Sequence, residues 1–207
     1  MSVYKLKPAF QQLLRPAVAA LYRRGVTANQ VTLFACLVSL LLGLALFVLA
    51  PAPWLFVLVP VWLLLRMACN AVDGMLAREF GQQSALGAML NELTDVLSDA
   101  ALYLPFVWVL PGSPFWLGLV IVLAGLSEFA GALGPTVGAS RRYDGPMGKS
   151  DRAVVFGALG LLVATGWPLP AWLALLMPLL ALLIALTIVR RVRFALQEGA
   201  TSSAQSQ

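Results

Sequence analysis

The sequence predicts an all-α polytopic membrane protein: six transmembrane helices preceded by an N-terminal interfacial amphipathic helix. Three observations carry this. Of the 207 residues, 60% are apolar and 11% charged, and mean hydropathy is +0.87, well beyond the apolar share of a water-soluble domain. Several apolar runs approach the ~20 residues a helix needs to cross the hydrocarbon core. Lys and Arg collect at alternate ends of those runs, the charge pattern of a chain threaded back and forth through a bilayer. The chain has no histidine, which removes Ser-His-Asp and Cys-His catalysis. Its two cysteines, Cys36 and Cys69, lie in apolar surroundings and support neither a zinc site nor a disulfide framework.

Residues 6–24 interleave Lys7, Arg15, Arg23 and Arg24 with Leu, Ala, Val and Tyr, which suits a helix lying in the membrane interface. No compact apolar stretch with a small-residue cleavage site precedes it, so no cleavable leader is expected. The segment "TANQVT" from Thr27 opens the first span, at about 28–50. Pro51 and Pro53 mark a turn, and the second span covers about 54–78. The polar link "EFGQQSA" leads to a third span at about 86–110, and "PGSP" separates it from a fourth at 115–133. A longer polar loop, "GPTVGASRRYDGPMGKSDR", precedes a fifth span at 153–167, and "PLP" turns the chain into a sixth at 171–189. A single membrane domain over 1–197 is expected, with a disordered tail at 198–207.

Charge sets the orientation. Residues 1–25 hold five Lys/Arg and no acid, residues 141–152 hold four, and residues 190–193 hold three. The turns at 51–53, 111–114 and 168–170 hold none. The positive-inside rule therefore puts both termini on the cytoplasmic side, and the bacterial inner membrane is the expected location. The pI of 9.7 then reflects orientation and contact with anionic membrane lipids. The basic residues are dispersed along membrane edges, so no nucleic-acid partner is expected.

One stretch breaks the apolar pattern: "NAVDGMLAREFGQQSALGAMLNELTDVLSD", residues 70–99. Residues three and four apart share a helix face, so Asn70, Asp73, Gly74 and Ala77 gather at the cytoplasmic end of the second span, with Arg78 beside them. Asn91, Asp95 and Asp99 form a strip down the matching end of the third, flanked by Glu92. The link between the spans is short, so the two faces meet. Carboxylates this close in a poorly hydrated place repel one another and are costly to keep ionised. A divalent cation relieves both costs, and Mg²⁺ or Mn²⁺ prefers such oxygen ligands. Membrane-depth carboxylates at this spacing read as functional rather than as helix-end residues touching water.

Residues 70–95 resemble the signature of the CDP-alcohol phosphotransferases (CDP-alcohol phosphatidyltransferases), D-x2-D-G-x2-A-R-x8-G-x3-D-x3-D. Every spacing matches, and Asp73, Gly74, Ala77, Arg78, Gly87 and Asp95 hold the expected residue. "TANQVT" resembles the family's T-P-N-x-x-T entry to its first helix, with Ala28 in place of Pro. The resemblance implies transfer of a phosphatidyl-type group from a CDP-activated lipid such as CDP-diacylglycerol to a small alcohol, with release of CMP. It assigns Asp95 as the base that deprotonates the acceptor hydroxyl and makes Asn70, Asp73 and Asn91 metal positions together with Asp95. Asn29, Thr32, Asp73, Gly74, Arg78, Ser84 and Gly87 would hold the cytidine diphosphate part of the donor. The residue types suit that chemistry, since phosphoryl transfer depends on positioning and on neutralising phosphate charge. Gly74 and Gly87 would let a nucleotide approach helix backbone closely; the bland alternative for both is close helix packing in the membrane.

The pattern has four Asp at the metal site, whereas this chain has two, with Asn70 and Asn91 in the other places. Asn offers a carbonyl oxygen and no charge. Three outcomes are open: one ion or a weakly held second, repair of the deficit by Glu92 or Asp99, or a site that binds nucleotide without catalysing. In the loop before the fifth span, Arg141, Arg142, Lys149 and Arg152 loosely resemble a G-K-x-K-T element of relatives with phosphorylated acceptors. They are candidates for holding an acceptor phosphate; ordinary positive-inside anchoring is the competing explanation. Arg66 and Glu128 are further charges inside spans, the first a turn before Asn70. Relatives in the family are homodimers, which makes a homodimer the expectation here.

Overall fold

The structure is a computed structural model that describes residues 6–49 and 52–205, with side chains described over 10–49 and 52–201. Among the described residues the chain forms seven α-helices, with a short 3₁₀ turn in four of the joints between them and no strand. They are α1 (Leu6–Arg23), α2 (Ala28–Val48), α3 (Leu58–Glu79), α4 (Ala85–Tyr103), α5 (Pro114–Ala132), α6 (Lys149–Ala164) and α7 (Leu176–Gln205). Proline punctuates several of the joints: 3₁₀ turns at Pro53–Val57 and Leu104–Trp108 carry it near their starts, where the missing N–H costs no hydrogen bond.

Four segments are long and apolar enough to cross a membrane: Ala28–Val48, Pro53–Glu79, Pro114–Ala132 and Ala171–Thr201. Their outer surfaces are apolar, as Leu33, Phe34, Leu37, Leu41 and Leu44 show along one face of α2. A surface this apolar and contiguous is solvated by lipid rather than water, and the chain is a membrane protein. α4 and α6 differ from these four. α4 carries Glu92, Asp95 and Asp99 along its length. α6 has 16 residues, about 24 Å at 1.5 Å per residue, and starts with Lys149, Asp151 and Arg152.

Small residues decide how closely the helices meet. α2 packs chiefly on α4 and α3, α3 on α6, and α5 on α7. A side chain at Gly43 of α2 would collide with the backbone of Ala101 in α4, and one at Gly160 of α6 would lie 2.8 Å from the Phe56 carbonyl oxygen. Gly43→Val is therefore expected to cost about 1–3 kcal/mol through overpacking. The check is the midpoint of thermal unfolding in detergent; an unchanged midpoint would mean that α2 and α4 part without cost. Away from the charged end, Phe56, Tyr103, Phe106 and Phe156 fill the core, with Tyr103 and Phe156 stacked at 3.8 Å between centroids. Trp62 donates its indole N–H to Ser39 Oγ (2.8 Å), satisfying both groups inside the α2–α3 contact.

α1 covers the charged end of α3. Val18 is buried against Val72, Met75 and Leu76, with Leu14 and Leu21 packed beside it. Gly25, at φ +76°, turns the chain into α2. There Thr27 and Gln30 form a reciprocal cap: the Gln30 N–H donates to Thr27 Oγ1 (3.3 Å) and the Thr27 N–H to Gln30 Oε1 (2.9 Å). The structure differs from the expectation at the other end of the chain. α7 stays helical over 198–205, where a disordered tail was expected; 206–207 lie outside the described residues. The cause is tertiary: Glu198 accepts from the Ser140 N–H (2.8 Å) and pairs with Arg142, tying this segment to the loop before α6.

Candidate functional site

The start of α2, the end of α3 and the first turns of α4 enclose a cleft of about 710 Å³. Helix ends build it, and most of the side chains that line it are polar or small. Asn29 and Thr32 come from α2, Asn70, Asp73, Gly74 and Arg78 from α3, and Ser84, Gly87, Asn91 and Glu92 from the cap and first turns of α4. The seven residues expected to hold the donor's cytidine diphosphate thus line one cleft. Gln82 and Gln83 of the intervening link line it too, and sequence reasoning missed them. Gln82 Oε1 accepts from the Ala28 N–H (2.7 Å), fastening the link to the start of α2.

Local geometry fixes several of these groups. Thr32 donates its hydroxyl to Asp73 Oδ2 (2.7 Å), orienting a carboxylate that is only 7% exposed. The Gly87 N–H donates to Ser84 Oγ (2.9 Å), the N-terminal cap of α4. A Cβ on Gly87 would lie 2.7 Å from Asn29 Oδ1 and 3.0 Å from Ser84 Oγ, so the glycine keeps that wall clear. A Cβ on Gly74 would lie 3.0 Å from the Arg78 guanidinium, which is folded back over it.

Beside the cleft lies a chain of ion pairs through the bundle. Asp95 Oδ1 meets Arg66 Nη2 at 3.0 Å and Lys149 Nζ at 2.5 Å. The Asn70 amide has one orientation that satisfies both of its ends. Its nitrogen donates to the Arg66 carbonyl (3.3 Å) and its oxygen accepts from Lys149 Nζ (2.8 Å). Asp99 takes Arg66 Nη1 at 2.5 Å and Arg152 Nη2 at 3.4 Å. Glu128 then receives Arg152 (3.0 Å), Arg191 (3.5 Å) and Arg141 (3.6 Å), and Arg141 also reaches Glu92 at 2.6 Å. Arg66, Arg152, Arg191, Asp99 and Glu128 are all buried, and charges at such depth persist because each is paired. Arg191 was not singled out in the sequence, where it stands in the basic cluster at 190–193 and nothing local marks one of the three arginines as buried.

The network places the remaining candidate residues. Asp99, expected as a displaced metal ligand, lies outside the cleft and is engaged by two guanidinium groups instead. Glu92, the other candidate for repairing the metal site, faces Arg141. Of the four residues expected to hold an acceptor phosphate, Lys149 is at Asp95, Arg141 is at Glu92, and Arg152 is buried in the network. Arg142 points elsewhere, to Glu198 and to Asp144, where Nε and Nη2 make contacts of 2.7 and 3.0 Å. Hydrogen bonding from Arg142 holds the Asp144 carboxyl below the usual carboxylate range.

The donor set bears on the metal. The Asp73 carboxylate and the side-chain oxygens of Asn70 and Asn91 are ligands of the kind Mg²⁺ and Mn²⁺ take. They supply one negative charge. Among the described residues, no group of three or more His, Cys, Asp or Glu is placed to hold an ion. One carboxylate with amide oxygens suits a single divalent ion better than a pair, and the Asn70 oxygen, expected as a metal ligand, accepts from Lys149 while Asp95 Oδ1 meets two cationic side chains.

Comparison with known proteins agrees with this architecture. The family model for CDP-alcohol phosphatidyltransferase matches residues 25–189. Escherichia coli (strain K12) inner membrane protein YnbA is 48% identical over 196 residues, covering 95% of this chain and 97% of that protein. Phosphatidylinositol phosphate synthase of Mycolicibacterium smegmatis is 29% identical, covering 90% of this chain and 85% of that one. Among solved structures, Mycobacterium tuberculosis phosphatidylinositol phosphate synthase (PgsA1) with CDP-DAG bound matches with TM-score 0.72 at 23% identity, covering 89% of this chain and 94% of that chain. The same enzyme in complex with manganese and citrate matches with TM-score 0.71 at 24% identity, covering 87% of each.

Proposed function

The chain belongs to the CDP-alcohol phosphatidyltransferase family, and on that basis we propose that it transfers a substituted phosphate group from a CDP-activated lipid such as CDP-diacylglycerol to a small alcohol. The observation that carries the reading is the convergence of Asn29, Thr32, Asp73, Gly74, Arg78, Ser84 and Gly87 on one cleft at the ends of α2, α3 and α4. In the reaction, the acceptor oxygen bonds to the phosphorus that carries the lipid. The bond from that phosphorus to the bridging oxygen breaks, CMP leaves with the oxygen, and the acceptor proton passes to Asp95. Asp95 suits that role because its ion pairs fall on Oδ1, which leaves Oδ2 for the acceptor hydroxyl. Arg78 offsets the diphosphate charge, and the bare backbone at Gly74 and Gly87 admits it closely. Asp73 and Asn91 would hold the divalent ion, Mg²⁺ or Mn²⁺, which when bound neutralises phosphate oxygens.

α4 and α6 complete a six-span bundle in this reading, their charges shielded by the other four spans, with α1 in the interface and both termini cytoplasmic. The cleft then opens to the cytoplasm, and the working unit is a homodimer. The test is CMP release from CDP-diacylglycerol by the purified protein, with glycerol phosphate, inositol phosphate and unphosphorylated alcohols as acceptors and with metal titrated. Metal-dependent CMP release with one of these acceptors is expected. Absence of release with every acceptor, while CDP-diacylglycerol still binds, overturns the transferase reading. It would favour a second one, a CDP-lipid-binding protein serving a partner enzyme, to which the neutralised Asp95 also points. Gly87→Ala is expected to weaken CDP-diacylglycerol binding roughly tenfold by crowding Asn29 and Ser84, with thermal stability retained because alanine suits a helix. Isothermal titration of both proteins checks this.

A further inference from the structure

Lys149 stands where the charge of the site is decided, and the sequence had given it another task. Its Nζ bridges Asp95 Oδ1 (2.5 Å) and the Asn70 side-chain oxygen (2.8 Å). Arg66 approaches the same Asp95 oxygen from within the bundle, at 3.0 Å. We infer that the Lys149 ammonium is a built-in replacement for a second divalent cation, so that this chain binds one divalent ion per protomer. The inference rests on the family reading for the first ion, at Asp73 and Asn91, and departs from the four-carboxylate pattern for the second, where Lys149 holds the Asn70 oxygen.

Three arguments converge. The first is space: a divalent ion on Asp95 Oδ1 would need an oxygen contact of about 2.1 Å, in the same small volume that Nζ occupies, and Oδ2 is the atom the proposed reaction leaves to the acceptor hydroxyl. The second is charge. Four carboxylates balance two divalent ions, whereas Asp73 and Asp95 balance one. Adding a second ion to two carboxylates and an ammonium would leave a net charge of +3, unfavourable in a poorly hydrated place. Asn70 and Asn91 withdraw two negative charges from the four-carboxylate pattern, and the Lys149 ammonium stands against one of the two carboxylates that remain. The third is support. Lys149 is the first residue of α6, whose start is pinned on several sides. The Gly148 N–H donates to Asp151 Oδ2 (2.9 Å), the Met147 N–H donates to Thr187 Oγ1 (3.0 Å), and Arg152 is locked between Asp99 and Glu128. The ammonium is thus delivered by a rigid helix start rather than by a free loop. The role fits Lys more closely than Arg, because an ammonium is a compact point charge with donors in several directions.

The experiment counts ions and needs no turnover. Mn²⁺ alone is titrated into the full-length protein in nanodiscs, with bound ion read by electron paramagnetic resonance. The wild-type chain is expected to take up one Mn²⁺ with an isolated-ion spectrum. The triple variant Asn70→Asp, Asn91→Asp, Lys149→Met is expected to take up two, with the broadened spectrum of a coupled pair. Should the triple variant not fold, Lys149→Met alone decides. Removing a positive charge beside the remaining site is expected to tighten Mn²⁺ binding roughly tenfold. Two ions in the wild-type chain, or none, overturns the inference. So does a folded triple variant that still takes one ion, or an unchanged affinity in Lys149→Met where that variant decides. If the ion counts follow expectation while no acceptor elicits CMP release, the cation replacement stands and the transfer reaction falls, so the two failures are distinguishable.

Discussion

Asp95→Asn is expected to lower CMP release by about 10²–10⁴-fold, the usual worth of a positioned general base, while CDP-diacylglycerol binding survives. The substitution keeps shape and leaves a carbonyl oxygen for Lys149 and Arg66, which now meet at Oδ1. It removes the proton acceptor and leaves the donor cleft untouched, because Asp95 stands beside that cleft rather than in its lining. Arg66 keeps Asp99 at 2.5 Å, so the bundle retains a partner for its buried guanidinium. The measurement is CMP release set against donor affinity in the same preparation. Turnover within a few-fold of wild type would move the base role to another residue.

Arg152→Met is expected to be the most destabilising single change in the network, at about 3–5 kcal/mol. Arg152 is 1% exposed and makes contacts with Asp99, Glu128, Ser127 Oγ (3.2 Å) and the Met147 carbonyl (3.3 Å). Methionine fills part of the space but leaves two buried carboxylates with one positive partner fewer. The cost is the uncompensated charge rather than lost attraction. Its sign is therefore checked by pairing the change with Glu128→Gln, which should recover part of the loss. Arg142→Ala offers the contrast. That side chain is 18% exposed and bridges Asp144 and Glu198 at the surface, where an ion pair is worth about 1 kcal/mol or less. Thermal midpoints in detergent check all three; equal losses for Arg152→Met and Arg142→Ala would show that burial does not set the cost here.

Much of the bundle was legible from apolar runs and their punctuation. Thr27 opens α2 where the sequence implied, and α4 and α5 start within one residue of the expected 86 and 115, because caps and proline act within one turn of the chain. Helical spacing put Asn70, Asp73 and Gly74 on one face with Arg78 beside them, and a short link brought Asn91 opposite; Ser84 and Gly87 were named only through the family resemblance. The end of α7 was not legible: "EGATSSAQSQ" carries no periodic apolar face, and its helix depends on Glu198 meeting Ser140 and Arg142. Nor were the partners of Glu128, whose three guanidinium groups come from α6, α7 and the loop between α5 and α6.

By itself the sequence determined that this is a helical membrane protein, that seven named residues gather on one cleft, and that two of four signature carboxylates are amides. Those features are written in local periodicity, in caps and in residue identity. Only the tertiary structure decided which charge faces which. It gave Asp99 to Arg66 and Arg152, took Arg142 away to Glu198, and set Lys149 against Asp95 and Asn70. Pairing between helices far apart in sequence depends on their packing distances, and close contact at Gly43 and Gly160 has no periodic signature from which a pairing can be read.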